Sequence, residues 1–136
     1  DVNQADHAGV TPLHLALREN EKAMVPLLLD AGASPHAVDS LGESVLFVAV
    51  MQQADDVAVR LLEAGADPNV IRPGWRSATA LILATRQGNE AMVKLLLQYG
   101  ADVTIKGDEG ETVYDFASDD IMALLPPQPA EADQSP

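Results

Sequence analysis

The chain has 136 residues, 47% of them hydrophobic and only 4% aromatic, and sets 8 Lys and Arg against 21 Asp and Glu for a net charge of −13. That length allows one domain with a real core, and the charge repels nucleic-acid phosphates and anionic membrane surfaces while favouring basic partners. With no cysteine there are no disulfides or thiolate metal sites, no apolar run approaches the ~18 residues of a membrane helix, and the start lacks a signal-peptide layout, so a soluble cytoplasmic segment is expected, a nuclear setting being the secondary option.

Asp1-Val2-Asn3 matches Asp67-Pro68-Asn69, which follows Gly65-Ala66. The chain is therefore expected to open in the tail of a repeat whose helices are absent, as a fragment of a longer array. The first repeated signal is Thr11-Pro12-Leu13-His14-Leu15-Ala16, and it returns as Ser44-Val45-Leu46-Phe47-Val48-Ala49, Thr79-Ala80-Leu81-Ile82-Leu83-Ala84 and Thr112-Val113-Tyr114-Asp115-Phe116-Ala117. A hydroxyl at each start can cap a helix, and Pro12 suits a first helical position whose N–H needs no partner. Inner helices are predicted near 12–19, 45–52, 80–87 and 113–118.

Outer helices are predicted near 21–31, 55–64, 89–99 and 119–125, from apolar residues at helical spacing such as Met92, Leu95, Leu96 and Tyr99. Pro26, inside the first of these, predicts a bend. The second, with two leucines where its neighbours have three, predicts a longer preceding turn and a shorter helix. Gly32, Gly65 and Gly100 should stop the first three helices, each at a left-handed position. The fourth is short, acidic at its start and ended by Pro126-Pro127; the Pro-, Ala- and acid-rich remainder, 126–136, is expected to be disordered.

From Thr11 to Ser44, Thr79 and Thr112 the steps are 33, 35 and 33 residues, and Gly32, Gly65 and Gly100 each follow their hydroxyl residue by 21. A period of this length means one supersecondary unit that buries its apolar face only against its neighbours. Thr11-Pro12-Leu13-His14, the Leu-Leu…Gly-Ala runs and the finger segments after them resemble the ankyrin repeat over roughly nine-tenths of the chain. The resemblance implies an all-α solenoid of stacked helix-turn-helix units with β-hairpin-like fingers, an array over 1–125 with units near 6–38, 39–71, 72–106 and 107–125. Leu28, Leu46, Leu61, Leu81 and Leu96 are assigned to its core.

No constellation for catalysis emerges. His7, His14 and His36 have no second ligand at metal spacing, and the resemblance gives His14 a role in hydrogen bonding within and between turns. Asp108, Glu109, Glu111, Asp115, Asp119 and Asp120 lack a calcium-loop ladder and read as a solvated tip or as a docking patch for a basic partner. Ser34, Ser40, Ser77 and Ser118 have no base-and-acid companions, and Gly107-Asp108-Glu109-Gly110 would repel phosphate.

The expected function is accordingly that of a non-catalytic, monomeric scaffold or adaptor without cofactors, gripping a protein or peptide through fingers and groove. The alternative is a regulatory or substrate-docking segment of a larger enzyme, trafficking adaptor or effector. By resemblance, the finger positions include Leu41, Glu43, Arg72, Trp75, Arg76, Asp108 and Glu109, and the groove positions include Arg18, Met51, Gln52, Arg86 and Gln87. The third finger is two residues longer than the others. It carries the single tryptophan and two basic residues, types enriched at interface hot spots. Trp75 either anchors a partner or folds over a neighbouring finger.

Overall fold

A computed structural model describes residues 1–74 and 79–128. The hydroxyl residues start the inner helices as expected. The side chains of Thr11, Ser44 and Thr79 accept hydrogen bonds from the N–H groups of His14, Phe47 and Ile82, opening α1 (Pro12–Arg18), α3 (Val45–Met51) and α5 (Ala80–Gln87). In the fourth unit Thr112 opens only a 3-10 turn, Val113–Asp115. The outer helices are α2 (Met24–Asp30), α4 (Asp55–Glu63), α6 (Glu90–Gln98) and the short α7 (Asp119–Met122).

Each Gly-Ala pair is a helix stop with a specific bond pattern. Gly32, Gly65 and Gly100 have φ of 95°, 97° and 90°. Their N–H groups bond Leu29, Leu62 and Leu97, and the following alanines bond Leu28, Leu61 and Leu96. This paired closure satisfies carbonyls the helix end would leave open, and it turns Ala33 and Ala66 into the core. Inner helices close in the same way at Asn20, Gln53 and Gly88.

Two local expectations are corrected. Pro26 causes no interior break, because α2 begins only at Met24 and places it in the first turn, where its missing N–H costs nothing. The residues before it wind as a tight turn in which Met24 and Val25 donate to Glu21 and Lys22. Nor is the second outer helix short: α4 has the same 9 residues as α6, with buried Ala54 at the place of the capping Asn89. Among the first three units, the one with the shorter outer helix is the first, α2 having 7 residues.

Within units α1 packs on α2, α3 on α4 and α5 on α6; between units α1 packs on α3, α3 on α5, and α5 on the 3-10 turn, with α4 on α6 and α6 on α7 behind. Leu13, Leu46, Leu81, Leu61, Leu96, Phe47, Ile82 and Met92 are fully enclosed in the resulting continuous core. Leu28, assigned to the core from sequence, is only partly buried. The fingers are less strand-like than expected, since the described residues hold one antiparallel bridge, Val38 with Ser44. The tail expected from 126 begins with Pro126, whose carbonyl accepts the Tyr114 hydroxyl at 2.7 Å. Residues 129–136 lie outside the described set.

A side-chain clamp recurs between units. Asn69 donates to Gly100 O at 3.1 Å and accepts from Asp102 N–H at 2.7 Å; Asn3 makes the same two bonds to Gly32 O and Ser34 N–H, at 3.0 and 2.7 Å. The corresponding residue between the first and second complete units is His36. Replacing His36→Asn should install the clamp on Gly65 and Asp67 and raise stability by about 1 kcal/mol, the net worth of such bonds at an exposed site. Urea denaturation checks this, and an unchanged midpoint counts against it.

Gln53 sits at φ 54°. A left-handed conformation costs a side-chain-bearing residue about 1–2 kcal/mol, more than the roughly 0.5–1 kcal/mol of chain entropy that glycine adds. Gln53→Gly is therefore expected to stabilise the array by about 0.5–1 kcal/mol in the same assay.

Candidate interaction surface of fingers and inner helices

The fingers are held by acceptors built into the turns. Asp6 Oδ1 accepts the N–H groups of Ala8 and Val10, both at 2.9 Å, and Asp39 Oδ1 accepts those of Leu41 and Glu43 at 3.0 and 2.9 Å. Ser40 N–H then donates to Ala8 O at 2.9 Å, tying one tip to the next. The second tip lies so close to the third finger that a Cβ on Gly42 would come within 2.7 Å of Pro73 Cδ. These contacts join the first three fingers to one another.

Beneath it runs a line of charges. Arg18, at the end of α1, bonds Asp39 Oδ2 at 2.5 Å and Glu43 Oε1 at 3.2 Å. Glu43 Oε2 is held by the third finger's Arg72, from Nε at 3.1 Å and from Nη2 at 2.9 Å. The Arg72 guanidinium also lies over the Phe47 ring, 5.9 Å from its centre. Buried His14 joins the same place: its Nδ1 accepts from Thr11 N–H at 3.3 Å, which leaves Nε2 to donate to Glu43 O at 2.9 Å.

Glu43 and Arg72, read from sequence as partner-facing, are thus turned inward, each 8% exposed. The reason is register. Arg72 occupies the column of Asp6 and Asp39, 33 residues on each time, so the third finger brings a cation to the place where its predecessors bring an acid. Enclosed charges are tolerated only when paired in this manner.

The remaining assigned positions are spread along the row. Leu41 stands out at the second tip, 64% exposed. Met51 and Gln52 are half-buried, and Gln52 Nε2 donates to Leu17 O in the preceding inner helix. Gln87 repeats that bond to Met51 O at 3.2 Å, a second unit-to-unit tie that sequence reading assigned to the groove without a partner. Arg86 is exposed beside the Phe116 ring, 5.2 Å from its centre. Asp108 and Glu109 are exposed on the fourth finger, where Glu109 N–H is held by Glu111 Oε2 at 2.8 Å. Trp75 and Arg76 lie outside the described residues. Among the described residues no group of three or more His, Asp or Glu is arranged to hold a metal, and no helix is long and apolar enough to cross a membrane.

Stacked helix pairs and Gly-Ala stops recur with the repeat, and the family model for ankyrin repeats in three copies matches residues 1–72 and 46–129. The chain belongs to the ankyrin-repeat family. It is 35% identical over 115 residues to neurogenic locus notch homolog protein 2 of Homo sapiens, covering 85% of this chain and 5% of that one. An ankyrin repeat-containing protein of Treponema pallidum (strain Nichols) is 37% identical over 89 residues, covering 65% and 30%. A transient receptor potential cation channel subfamily A member 1 homolog of Caenorhabditis elegans is 32% identical over 112 residues, covering 82% and 9%. The ankyrin array therefore spans under a third of the length of each. Ankyrin repeats are in general protein–protein interaction modules, and the family is typically non-catalytic.

The charge line gives the array a definite acid response. Burial opposes the charged form of Asp39, but the N–H of Glu43, the Arg18 guanidinium and the N–H of Leu41 outweigh it and hold the carboxyl below its ordinary value of 3.8. A depressed carboxylate contributes stability above its unfolded pKa and loses it as pH falls through the folded one. Wild type should therefore lose more stability than Asp39→Asn as pH drops from neutrality to below about 4, as read from urea midpoints at each pH. Parallel pH profiles for the two proteins would contradict the pairing.

Proposed function

We propose that this ankyrin array is a non-catalytic scaffold or adaptor that grips a protein or peptide through its finger tips and inner-helix groove. The observation that carries the reading is the tied row of tips, with Leu41 projecting from a surface whose backbone is already fixed. Pre-ordered surfaces bind without the cost of freezing loops on contact. Arg86, Asp108 and Glu109 extend the contact along the row, and Trp75 and Arg76 supply its anchors. Glu43 and Arg72 act beneath it as supports. With a net charge of −13, a partner with a basic surface is favoured, in a cytoplasmic setting.

A second reading is favoured by the small share of each relative that the array covers, 5%, 30% and 9%. In it the array is the docking or regulatory segment of a larger protein. Both readings place recognition on the same surface.

The test is affinity capture from lysate, followed by titration of the captured partner against wild type, Leu41→Ala and Trp75→Ala. A hot-spot loss of about 2 kcal/mol or more, roughly 30-fold in affinity, is expected for Trp75→Ala, with the far-ultraviolet helical signal unchanged. Equal affinity for all three proteins removes the finger-tip reading.

A further inference from the structure

Pro26 shapes the outer-helix side of the array. Asp55 and Glu90 begin α4 and α6, and Lys22 holds the same place one unit earlier, yet α2 begins only at Met24. An α-helix started at Lys22 would need the N–H of residue 26 for the Lys22 carbonyl, and proline has none. Val25 N–H takes that carbonyl instead, at 3.1 Å, in the tight turn that delays the helix. The packing that joins α4 to α6 and α6 to α7 is not matched between α2 and α4, and a cleft of about 630 Å³ lies between them.

Its walls carry charge in a definite order. Lys22 and Asp56 stand where the two helices start and Glu63 stands where α4 ends, with Arg60 between them and Pro26 and Val59 as apolar lining. A smaller hollow of about 230 Å³ continues the trough past Pro26 and Arg60 to Glu63 and Asp30. Asp56 and Glu63 each lie one turn from Arg60 on α4, within reach of an ion pair, but the three ion pairs among the described residues leave out Arg60 and Lys22 alike. The trough is therefore positive over its first half, where Lys22 and Arg60 outnumber Asp56, and negative at its far end, where Glu63 meets Asp30.

We propose that this trough is a second interaction surface, separate from the fingers, and that it takes an amphipathic helix of a partner protein bearing one acidic and one basic residue. The acid lies over Lys22 and Arg60, aliphatic side chains lie over Pro26 and Val59, and the base lies over Glu63 and Asp30. The 9 residues of α4 make the trough about 13 Å long, between two and three turns of helix. An acid at i, aliphatics at i+3 and i+4 and a base at i+7 share one helix face and match that length. A segment with one charge of each sign also escapes the repulsion that a net charge of −13 exerts on a purely acidic one.

The test is a nitrogen-15 amide NMR titration of the full chain with a short alanine-based helical peptide that carries a glutamate, leucines three and four positions on, and a lysine seven positions on. Shifts are expected in residues 22–30 and 55–63. Arg60→Glu, a change at an exposed position, should weaken binding about tenfold or more, and a peptide with lysine in place of its glutamate should recover most of that loss. Pro26→Ala, which lets α2 start earlier and close on α4, should also weaken binding while raising the far-ultraviolet helical signal. Leu41→Ala should leave this titration unchanged, which keeps its outcome distinct from that of the finger-tip reading. The proposal is overturned if shifts fall on the fingers and inner helices or nowhere, or if Arg60→Glu binds as wild type does. It is overturned too if a peptide lacking the lysine binds equally well, which would leave a simple carboxylate site, or if the chain sediments as a dimer that Arg60→Glu dissociates, which would make a second copy the occupant.

Discussion

Every part of this structure depends on apolar burial between helix pairs as well as within them. Helices of 7 to 9 residues are too short to be stable alone, and a single pair leaves one side of its leucines in water. Enclosing a leucine contributes roughly 1.5–3 kcal/mol, against about 1–2 kcal/mol per residue for ordering the backbone, so the balance turns favourable only when both sides of a layer are covered. Leu46 and Leu81 in the middle units are enclosed on both sides, and Leu15 at the first is not. The array is therefore one cooperative object whose stability grows from its centre.

Polar devices fix the spacing that this burial needs. The Gly-Ala stop ends each of the first three outer helices, with Ala33 and Ala66 directed inward, the asparagine clamp spans the gap to the next unit, and Gln52 and Gln87 bridge successive inner helices on the other side. The line Arg18, Asp39, Glu43, Arg72 adds specificity to register. A slip by one finger would set two acids together and leave an enclosed charge unpaired, which costs far more than an exposed pair is worth. Rigidity of the tips, and hence their use as a recognition surface, follows from these ties.

The helix starts, the glycine stops and the stacking order were legible in the sequence because each rests on residues repeated at a fixed interval. The second outer helix was misread because local features were weighed there without the register: counting from Gly65 gives α4 the length of α6. Pro26 was misread because α2 starts two residues later than the register gives, so that Pro26 is its third residue where Val59 and Lys94 are the fifth of α4 and α6. The inward turn of Glu43 and Arg72 was hidden for another reason. A finger position is exposed by the family pattern, and only the pairing of one unit's acid with the next unit's arginine encloses it. The column Asp6, Asp39, Arg72 held the signal, as a change of charge sign at a conserved interval. Leu28 lost its core place for want of a preceding layer, a property of position in the array that its own residue type does not encode.

Native-state hydrogen exchange under increasing denaturant tests the central claim most directly. Burial shared between layers predicts that the amides of α3 and α5 open together, with one common free energy equal to that of global unfolding, while those of α1 open at lower cost. Separate opening of α3 and α5, each at its own free energy, would show that the units stand alone and would contradict the account.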